Sequence, residues 1–506
     1  MTAKRLHPAA LLYFCYQTTK NALGWLLIML VFNLDMLKSP WFWWIALGLL
    51  LLVITASAIK YWRFTYEMND LELSINSGLL FQKHLHIAYS KIQTMQTQQW
   101  FYLRPFGLVS LQIETSGHSE DKAEAVLPVI SRAIVEQIQE LRFPKQQSIP
   151  NETANPRVES QPDDSASLSS ETQPDETKSP STVSRPVKIG AHYRIKWDDL
   201  NLYALTSLAF LPLLLGLVTI YNRVSDTVPQ KYLDSALTFV AHESLLVLSS
   251  LLFITLLLSL LFSYLLVINR YFHFELVQEG KRLKTSRGLM QTKEVATPVK
   301  KVQAVISSQT LLRQWLKLAT VEAVLASQAG SDEKDEAGLV LLPVLKRSQV
   351  LVQTSRFVSW LPAKEPHVFM TAEGGRWRII RNAVWFPAVV TLASAILFWP
   401  YGLLGLLVVL YACLCGVYSA RNNGLSQGQG NLLVAKTARF LSRKTFFLPR
   451  EKIQAVTLKQ TVWMKKAGLT TVELTLRAGN SARYVEVRYL STQVAQAVYR
   501  WYRQGG

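Results

Sequence analysis

One pattern recurs three times along this chain, in register each time. It reads Lys91-Ile92-Gln93 with Gln99, Lys301-Val302-Gln303 with Gln309, and Lys452-Ile453-Gln454 with Gln460. Six residues separate the two glutamines in every copy, and fourteen residues after the first glutamine stands Gly107, Lys317 or Gly468. A β-type segment follows: Leu108–Ile113, Ala319–Val324 and Leu469–Leu476. Lysine and glutamine are common, so one copy would carry no weight. Three in register mean a triplicated module, and any fold for this chain must be built three times over.

Each copy follows a strongly apolar segment. A bilayer span needs about 20 predominantly apolar residues. Ser244–Ile268 provides 25 without a charge, and Leu200–Tyr221 provides 22 with Pro212 inside. A membrane helix tolerates such a proline when neighbours resupply the lost hydrogen bond. Ala22–Leu37 and Trp41–Ile59 are split by Lys38-Ser39-Pro40, and Asn382–Phe398 and Gly402–Ala420 by Trp399-Pro400-Tyr401. These runs predict six transmembrane helices in three hairpins. The first is the shortest and contains Asp35, and the apolar stretch Ala9–Tyr16 before it reads as interfacial. A signal peptide does not fit: Lys20 interrupts the apolar run, no small-x-small site follows, and a second span comes directly after. The composition agrees with a membrane chain, at 49% hydrophobic and 18% charged, where soluble domains carry about 25% charge.

Lys and Arg at the ends of the spans set the expected orientation. Lys4, Arg5, Lys20, Lys60 and Arg63 flank the first hairpin, Arg194, Lys196 and Arg270 the second, and Arg376, Arg378, Arg381 and Arg421 the third. The intervening turns hold only Lys38, then Arg223 and Lys231, then no basic residue. The termini and all three modules are therefore expected on the cytoplasmic side of the membrane.

The chain divides accordingly into an N-terminal segment with the first hairpin (1–60), module one (61–145), a linker (146–190), the second hairpin (191–269), module two (270–381), the third hairpin (382–420) and module three (421–506). The linker has six prolines, seven acidic and four basic residues and almost nothing apolar, so it cannot bury enough surface to fold. Within module one, Arg63–Met68 and Leu71–Ile75 alternate as half-buried strands do. Asn69-Asp70 and Asn76-Ser77-Gly78 supply turn chemistry. Helices are expected at Ala123–Leu141 and at Ser491–Arg503, where Val494, Ala497, Val498 and Trp501 recur at helical spacing. Strands followed by one terminal helix predict an α+β module, a bent antiparallel sheet or barrel whose open end the helix caps.

The order of apolar hairpin, Asn76-Ser-Gly-Leu-Leu80, Ile87-Ala-Tyr-Ser-Lys-Ile-Gln93 and Arg104-Pro-Phe-Gly-Leu108 resembles the bacterial PH-like membrane-flanked domain family, and the triple arrangement is similar to its YdbT-type members. The resemblance covers almost the whole chain except the linker. Copy two departs at Lys317 and at Thr297-Pro298, which stands where copy one has Ala88-Tyr89. Copy three has Ala438-Arg439-Phe440 in place of Ser77-Gly78-Leu79. The resemblance implies a PH-like barrel, attachment to a bacterial inner membrane, no catalytic activity, and a smaller membrane protein of the same family as a partner.

The formal net charge is +19, and it is unevenly placed: module one is −1, module two +8 and module three +12. Positive-inside bias and solubility explain much of such an excess. Apposition to anionic lipid is the next reading, since each nearby Lys or Arg gains roughly 1 kcal/mol from the surface potential. An acidic protein partner is a third. Nucleic acid is disfavoured, because no helix-turn-helix, zinc finger or aromatic RNA-binding signature accompanies the charge.

Lys281, Arg282, Lys284 and Arg287 in module two, and Arg439, Arg443, Lys444 and Arg450 in module three, occupy corresponding early strands and loops. They are the candidates for lipid phosphate or partner contact. The repeated Lys91, Gln93, Gln99, Lys301, Gln303, Gln309, Lys452, Gln454 and Gln460 could hold a polar headgroup. Alternation alone, however, buries Ile92, Val302 and Ile453 and leaves the Lys and Gln on the outer face, so a structural role is preferred. His84 and His86 share a strand face but lack a third metal ligand nearby. Cys413 and Cys415 read as packing residues of the last helix, and Cys15 joins no C-x-x-C pair.

No phosphate-binding loop, nucleophile elbow or His-Glu-x-x-His helix is present. No cofactor, metal or catalytic residue is nominated. The expected function is a non-enzymatic multi-pass membrane scaffold or regulator of the cell envelope, binding a protein partner, an anionic lipid surface or a second copy of itself. The alternative from another class is a lipid or small-solute transporter built on the helix bundle. A third is a membrane enzyme for which no residue stands out.

Overall fold

The computed structural model describes residues 4–19, 40–78, 82–115, 125–142, 189–207, 245–326, 338–364, 369–370, 373–427, 431–479 and 481–504. Module one opens with a short strand, β1 (Lys4–Arg5), and a helix, α1 (Pro40–Arg63). A three-strand meander follows: β2 (Thr65–Met68), β3 (Glu72–Ser77) and β4 (Lys83–Ala88). A 3₁₀ turn at Tyr89–Lys91 leads into a second meander of β5 (Ile92–Trp100), β6 (Leu108–Thr115) and β7 (Ala125–Ser131), closed by α2 (Arg132–Arg142).

Module two repeats this plan. β8 (Ile189–Arg194) precedes α3 (Trp197–Leu205) and α4 (Leu245–Tyr271). Then come β9 (Glu275–Glu279), β10 (Arg282–Arg287) and β11 (Gln291–Pro298), a 3₁₀ turn at Val299–Lys301, and β12 (Val302–Gln309). α5 (Leu311–Trp315), β13 (Leu318–Leu325), β14 (Gly338–Lys346) and α6 (Val350–Ser355) complete it.

In module three, β15 (Phe369–Met370) precedes the helix pair α7 (Glu373–Leu397) and α8 (Gly405–Arg421). β16 (Gly424–Gln427), β17 (Leu432–Arg439) and β18 (Ser442–Pro449) form its first meander. After a turn at Arg450–Lys452 come β19 (Ile453–Lys459), α9 (Val462–Lys466), β20 (Leu469–Ala478), β21 (Ser481–Ser491) and α10 (Thr492–Arg503).

Local chemistry accounts for several of these boundaries. β10 alternates strictly, with Leu283, Thr285 and Arg287 turned inward, as a strand covered on one face must. The Ser491 hydroxyl caps α10 by accepting from the Val494 amide at 3.4 Å, and Ala495, Val498 and Trp501 form its buried stripe. Between the first and second strands after each lysine motif the chain turns through a left-handed residue: Gly107 at φ 61°, Lys317 at 55° and Gly468 at 63°. Module two thus keeps the turn with a lysine, at the steric cost a Cβ brings to that region.

The sheets do not respect the modules. The first has the order β1-β2-β3-β4 and the last β19-β20-β21, but the two between them are continuous seven-strand sheets. One runs β7-β6-β5-β11-β10-β9-β8, the other β14-β13-β12-β18-β17-β16-β15. The second meander of each module therefore continues edge to edge into the first meander of the next. At the first joint β5 pairs antiparallel with β11, from Met95 opposite Ala296 to Trp100 opposite Gln291. At the second, β12 pairs with β18, from Val305 opposite Phe447 to Gln309 opposite Arg443.

Three expectations are corrected here. Among the described residues three helices, not six, are long and apolar enough to cross a membrane: Phe253–Tyr271, Gly374–Leu397 and Tyr401–Arg421. The expected span Ala22–Leu37 lies outside the described residues. Leu200–Tyr221 begins in α3, a nine-residue helix capped at Thr206, and residues 208–221 are outside them too. Leu200, Tyr203 and Ala204 of α3 are buried in the core of module two. Counting apolar residues cannot distinguish such a helix, packed against protein, from one packed against lipid. Trp41–Ile59 falls in α1, which is not among the three. The stretch Ala9–Tyr16, expected at the interface, is helical from residue 10 and buries Ala10 and Phe14 with Leu6 in the core of module one.

The third correction concerns Ala123–Leu141, whose first part is strand β7 and only Arg132–Arg142 helix. Pro128 and its flanking Val126, Val129 and Ile130 disfavour a helix, and β6 offers the edge they pair with. In α7 and α8 the contact is close: Gly416 faces the Ile380 Cα, and Gly405 faces Thr391, where a Cβ would lie 3.0 Å and 2.7 Å from its neighbour. Small residues allow this approach between membrane helices.

Candidate membrane-facing site

The corner between the first and second strands of each second meander carries large apolar side chains that the fold leaves uncovered. In module one these are Phe101 and Phe106 (55% and 68% exposed). In module two they are Leu311, Leu312, Trp315 (80%) and Leu316, and in module three Val462 and Trp463 (75%). Counted from the motif lysine, Phe101, Leu311 and Val462 stand at one position, ten residues on, Leu312 and Trp463 share the next, and Phe106 and Leu316 share the fifteenth. Beside them stands one buried anchor per module, twelve residues after the motif lysine: Leu103, Arg313 or Met464. The second glutamine of the motif ties the corner down. Gln99, Gln309 and Gln460 each donate a side-chain amide hydrogen bond to the carbonyl nine residues on, at Leu108, Leu318 and Leu469, with distances of 3.1, 2.5 and 2.9 Å.

The other members of the motif stand differently. Lys91, Lys301 and Lys452 end the 3₁₀ turns one residue before the strand rather than lying on it. Gln303 is buried and donates to the Lys301 carbonyl at 3.2 Å, while Gln454 is exposed. The side chain of Gln93 lies outside the described residues.

Each corner sits beside the end of a long helix. At the first joint the Phe101 amide donates to the Met290 carbonyl at 2.8 Å, and Arg104 reaches the Leu289 carbonyl and Thr292 hydroxyl. The Leu289 and Met290 amides in turn donate to Asn269 in the last turn of α4. At the second joint Gln314 of α5 donates to the Leu441 carbonyl and accepts from the Tyr418 hydroxyl, near the C-terminus of α8, at 2.6 Å. Arg313 is enclosed there: it reaches Thr206, Thr320 and the Tyr203 carbonyl, and its guanidinium lies 4.5 Å from the Tyr203 ring centroid. Burial pushes the Tyr203 phenol well up, the neighbouring Tyr271 adds to it, and Arg313 works in the opposite direction.

The third corner is the most open. Trp463, Met464 and Lys466 face Arg378, Arg381 and Tyr489 across a cavity of about 640 Å³ at the start of α7. The Lys466 ammonium lies 5.8 Å from the Trp463 ring centroid. Tyr489 accepts a hydrogen bond from Asn382 at 2.8 Å, and Asn382 accepts from Arg381. Exposed Trp377 and Trp385 flank this point on α7. An indole between cations where a long apolar helix begins is the composition of a membrane–water boundary.

Of the residues nominated from sequence, the structure brings only some to this edge. Arg439 lies at the β17–β18 tip, over the Phe440 ring at 5.1 Å, with exposed Lys444 close by. Arg443 is drawn into the second joint, where it donates to Gln309 at 2.7 Å. Arg287 is buried over the Tyr271 ring. Lys281 and Arg282 are at the opposite end of β10, about 17 Å away along the strand. Burial draws the Arg282 guanidinium down, with Glu279 opposing. Lys284 lies 3.7 Å from Glu294, and Arg450 is over the Trp501 ring and donates to the Tyr502 carbonyl. His84 and His86 meet Asn76 and Ser74 on the neighbouring strand, and no group of three metal-ligating side chains occurs among the described residues.

Sequence reasoning used Arg378 and Arg381 only for orientation and passed over the corner aromatics. Their signal was available: an apolar residue recurring at one offset in three copies, where alternation no longer calls for burial.

Among the described residues four sheets are threaded through three modules, with apolar corners beside long helices, and they define a membrane-anchored array of PH-like modules. A model of the bacterial PH domain matches residues 22–143, 231–356 and 383–505, and the chain belongs to that family. It is similar to the UPF0699 transmembrane protein YdbT of Bacillus subtilis (strain 168), with 28% identity over 506 residues that cover 99% of this chain and 98% of the relative.

Proposed function

We propose that this membrane protein is a non-enzymatic scaffold or regulator of the bacterial cell envelope. Its termini and three modules face the cytoplasm, and its module corners rest in the anionic headgroup layer of the inner membrane. The observation that carries this is the third corner, where Trp463 stands among Lys466, Arg378 and Arg381 at the foot of α7. The recurrence of exposed apolar residues at the same corner of modules one and two extends it along the chain. Charge supports the same reading. Modules two and three carry +8 and +12, and each Lys or Arg near an anionic surface contributes about 1 kcal/mol.

The test uses the full chain in vesicles of anionic lipid, with Cys15, Cys413 and Cys415 replaced by serine and Trp463→Cys carrying an environment-sensitive dye. Blue-shifted emission, quenched by spin labels at headgroup depth and weakened in neutral lipid, is the expected result. Water-like emission in both lipids would remove the reading. Solute or lipid flux through the same vesicles would move the protein to the transporter class.

A further inference from the structure

The two joints inside the chain obey one rule of register. The residue four after a motif lysine lies opposite the residue five before the next motif lysine. Met95 opposite Ala296 satisfies it at the first joint, and Val305 opposite Phe447 at the second. Each joint needs two halves: the first strand of a second meander (β5, β12) and the last strand of a first meander (β11, β18).

The chain has three of each, and uses two of each. β4 is the third strand of the β11 and β18 kind, and it is the edge of its sheet among the described residues. β19 is the third of the β5 and β12 kind, and it too is an edge. The sequences of β12 and β19 begin almost identically, Val302-Gln-Ala-Val305 and Ile453-Gln-Ala-Val456. In β12 all four of these residues are buried, with Ala304 at 0% exposure; in β19 Gln454 and Ala455 are exposed. Arg104 and Gln314, which reach across the two internal joints, have as their counterpart Lys465, exposed on α9.

We infer that β19 of one molecule pairs antiparallel with β4 of a second copy, extending the array head to tail along the membrane. The register rule places Val456 opposite His86 and Lys459 opposite Lys83. A backbone edge left open is a template for another strand, and the strand shaped for this template twice already lies at the other end of the same chain. The contact is heterologous, so it generates a ring or an open row rather than a closed two-fold dimer. Charge disfavours tail-to-tail contact, since module three is +12 and module one −1. Lys83 and Lys459 do face each other in this register, which is unfavourable. Lys459 is already ion-paired to Glu473 at 2.6 Å, and the like charge makes the edge selective and the association reversible.

The test is cross-linking of the full chain in native-like lipid, in a background with Cys15, Cys413 and Cys415 replaced by serine. Directly opposed residues in an antiparallel pair lie about 4.5–5.5 Å apart at Cα, within disulfide range. Lys83→Cys protein mixed with Lys459→Cys protein gives a covalent dimer, and the double variant gives a ladder of higher oligomers. Ser308→Cys with Lys444→Cys, opposed at the second joint, forms an intrachain bond as the positive control. Lys83→Glu, which places opposite charges across the edge, raises the oligomer fraction of the otherwise wild-type protein about threefold. No cross-link between the mixed single variants while the control closes would overturn the inference. So would a cross-link formed as readily by either single variant with itself. These readouts involve protein contacts alone, so they leave the headgroup reading of the corners to its own test.

Discussion

The two internal joints share a register and differ in what fills them. At the second joint the cores of neighbouring modules interlock. Phe447 of module three is buried in the core of module two, and Ala304, Ile306 and Val324 of module two are buried in the core of module three. At the first joint the equivalent positions are Ala296, Thr94, Gln96 and Glu114. There, among the described residues, the core of module one holds no residue of module two. Instead Arg132 meets Glu294 at 3.1 Å, and Gln291 donates to Gln98 at 2.9 Å. Backbone pairing thus sets the geometry of both joints, and side chains set their strength. Modules two and three have two cores that exchange side chains, and module one is attached to them by a hydrogen-bonded seam.

The difference can be broken most directly at Phe447. Phe447→Ala empties a site that is 1% exposed and is expected to cost about 4 kcal/mol, read as a large drop in unfolding midpoint for modules two and three together. Separate unfolding of the two would show that their cores do not interlock. Ile306→Gln installs the residue that Gln96 supplies at the first joint. Losing apolar burial and enclosing an amide without a prepared partner costs about 3 kcal/mol. A cost near zero in the same denaturant assay would mean that the second joint tolerates the polar solution as well. Arg132→Ala at the first joint removes a partly exposed ion pair and costs below about 1 kcal/mol, vanishing at high salt. If it matched Phe447→Ala, the contrast between the joints would be gone.

Much of the module is legible in the sequence. The β segments after Gly107, Lys317 and Gly468 are β6, β13 and β20, and the positions of those three residues are left-handed turns. Such features are local, written in alternation and in turn chemistry. The membrane helices were less legible. Leu200, Tyr203 and Ala204 are as apolar as a lipid-facing run, but they are buried against module two, and hydropathy records only distaste for water. The candidate site was legible in part. Basic residues were visible as charge, but which of them lie beside the helix ends depends on strand direction: Arg439 follows Ala438, whose carbonyl accepts from Ser419 of α8, while Lys281 and Arg282 end up at the far end of theirs.

The repeat by itself determined that there are three modules of one kind, each attached to apolar helices, and that their surfaces differ in charge. Only the tertiary structure decided that the modules share their sheets, because the hydrogen bonds that join β5 to β11 and β12 to β18 are made by backbone groups common to every residue. A strand's alternation says which of its faces is buried. It does not say which chain segment lies along its edge, and in this protein the edges decide how one module meets the next.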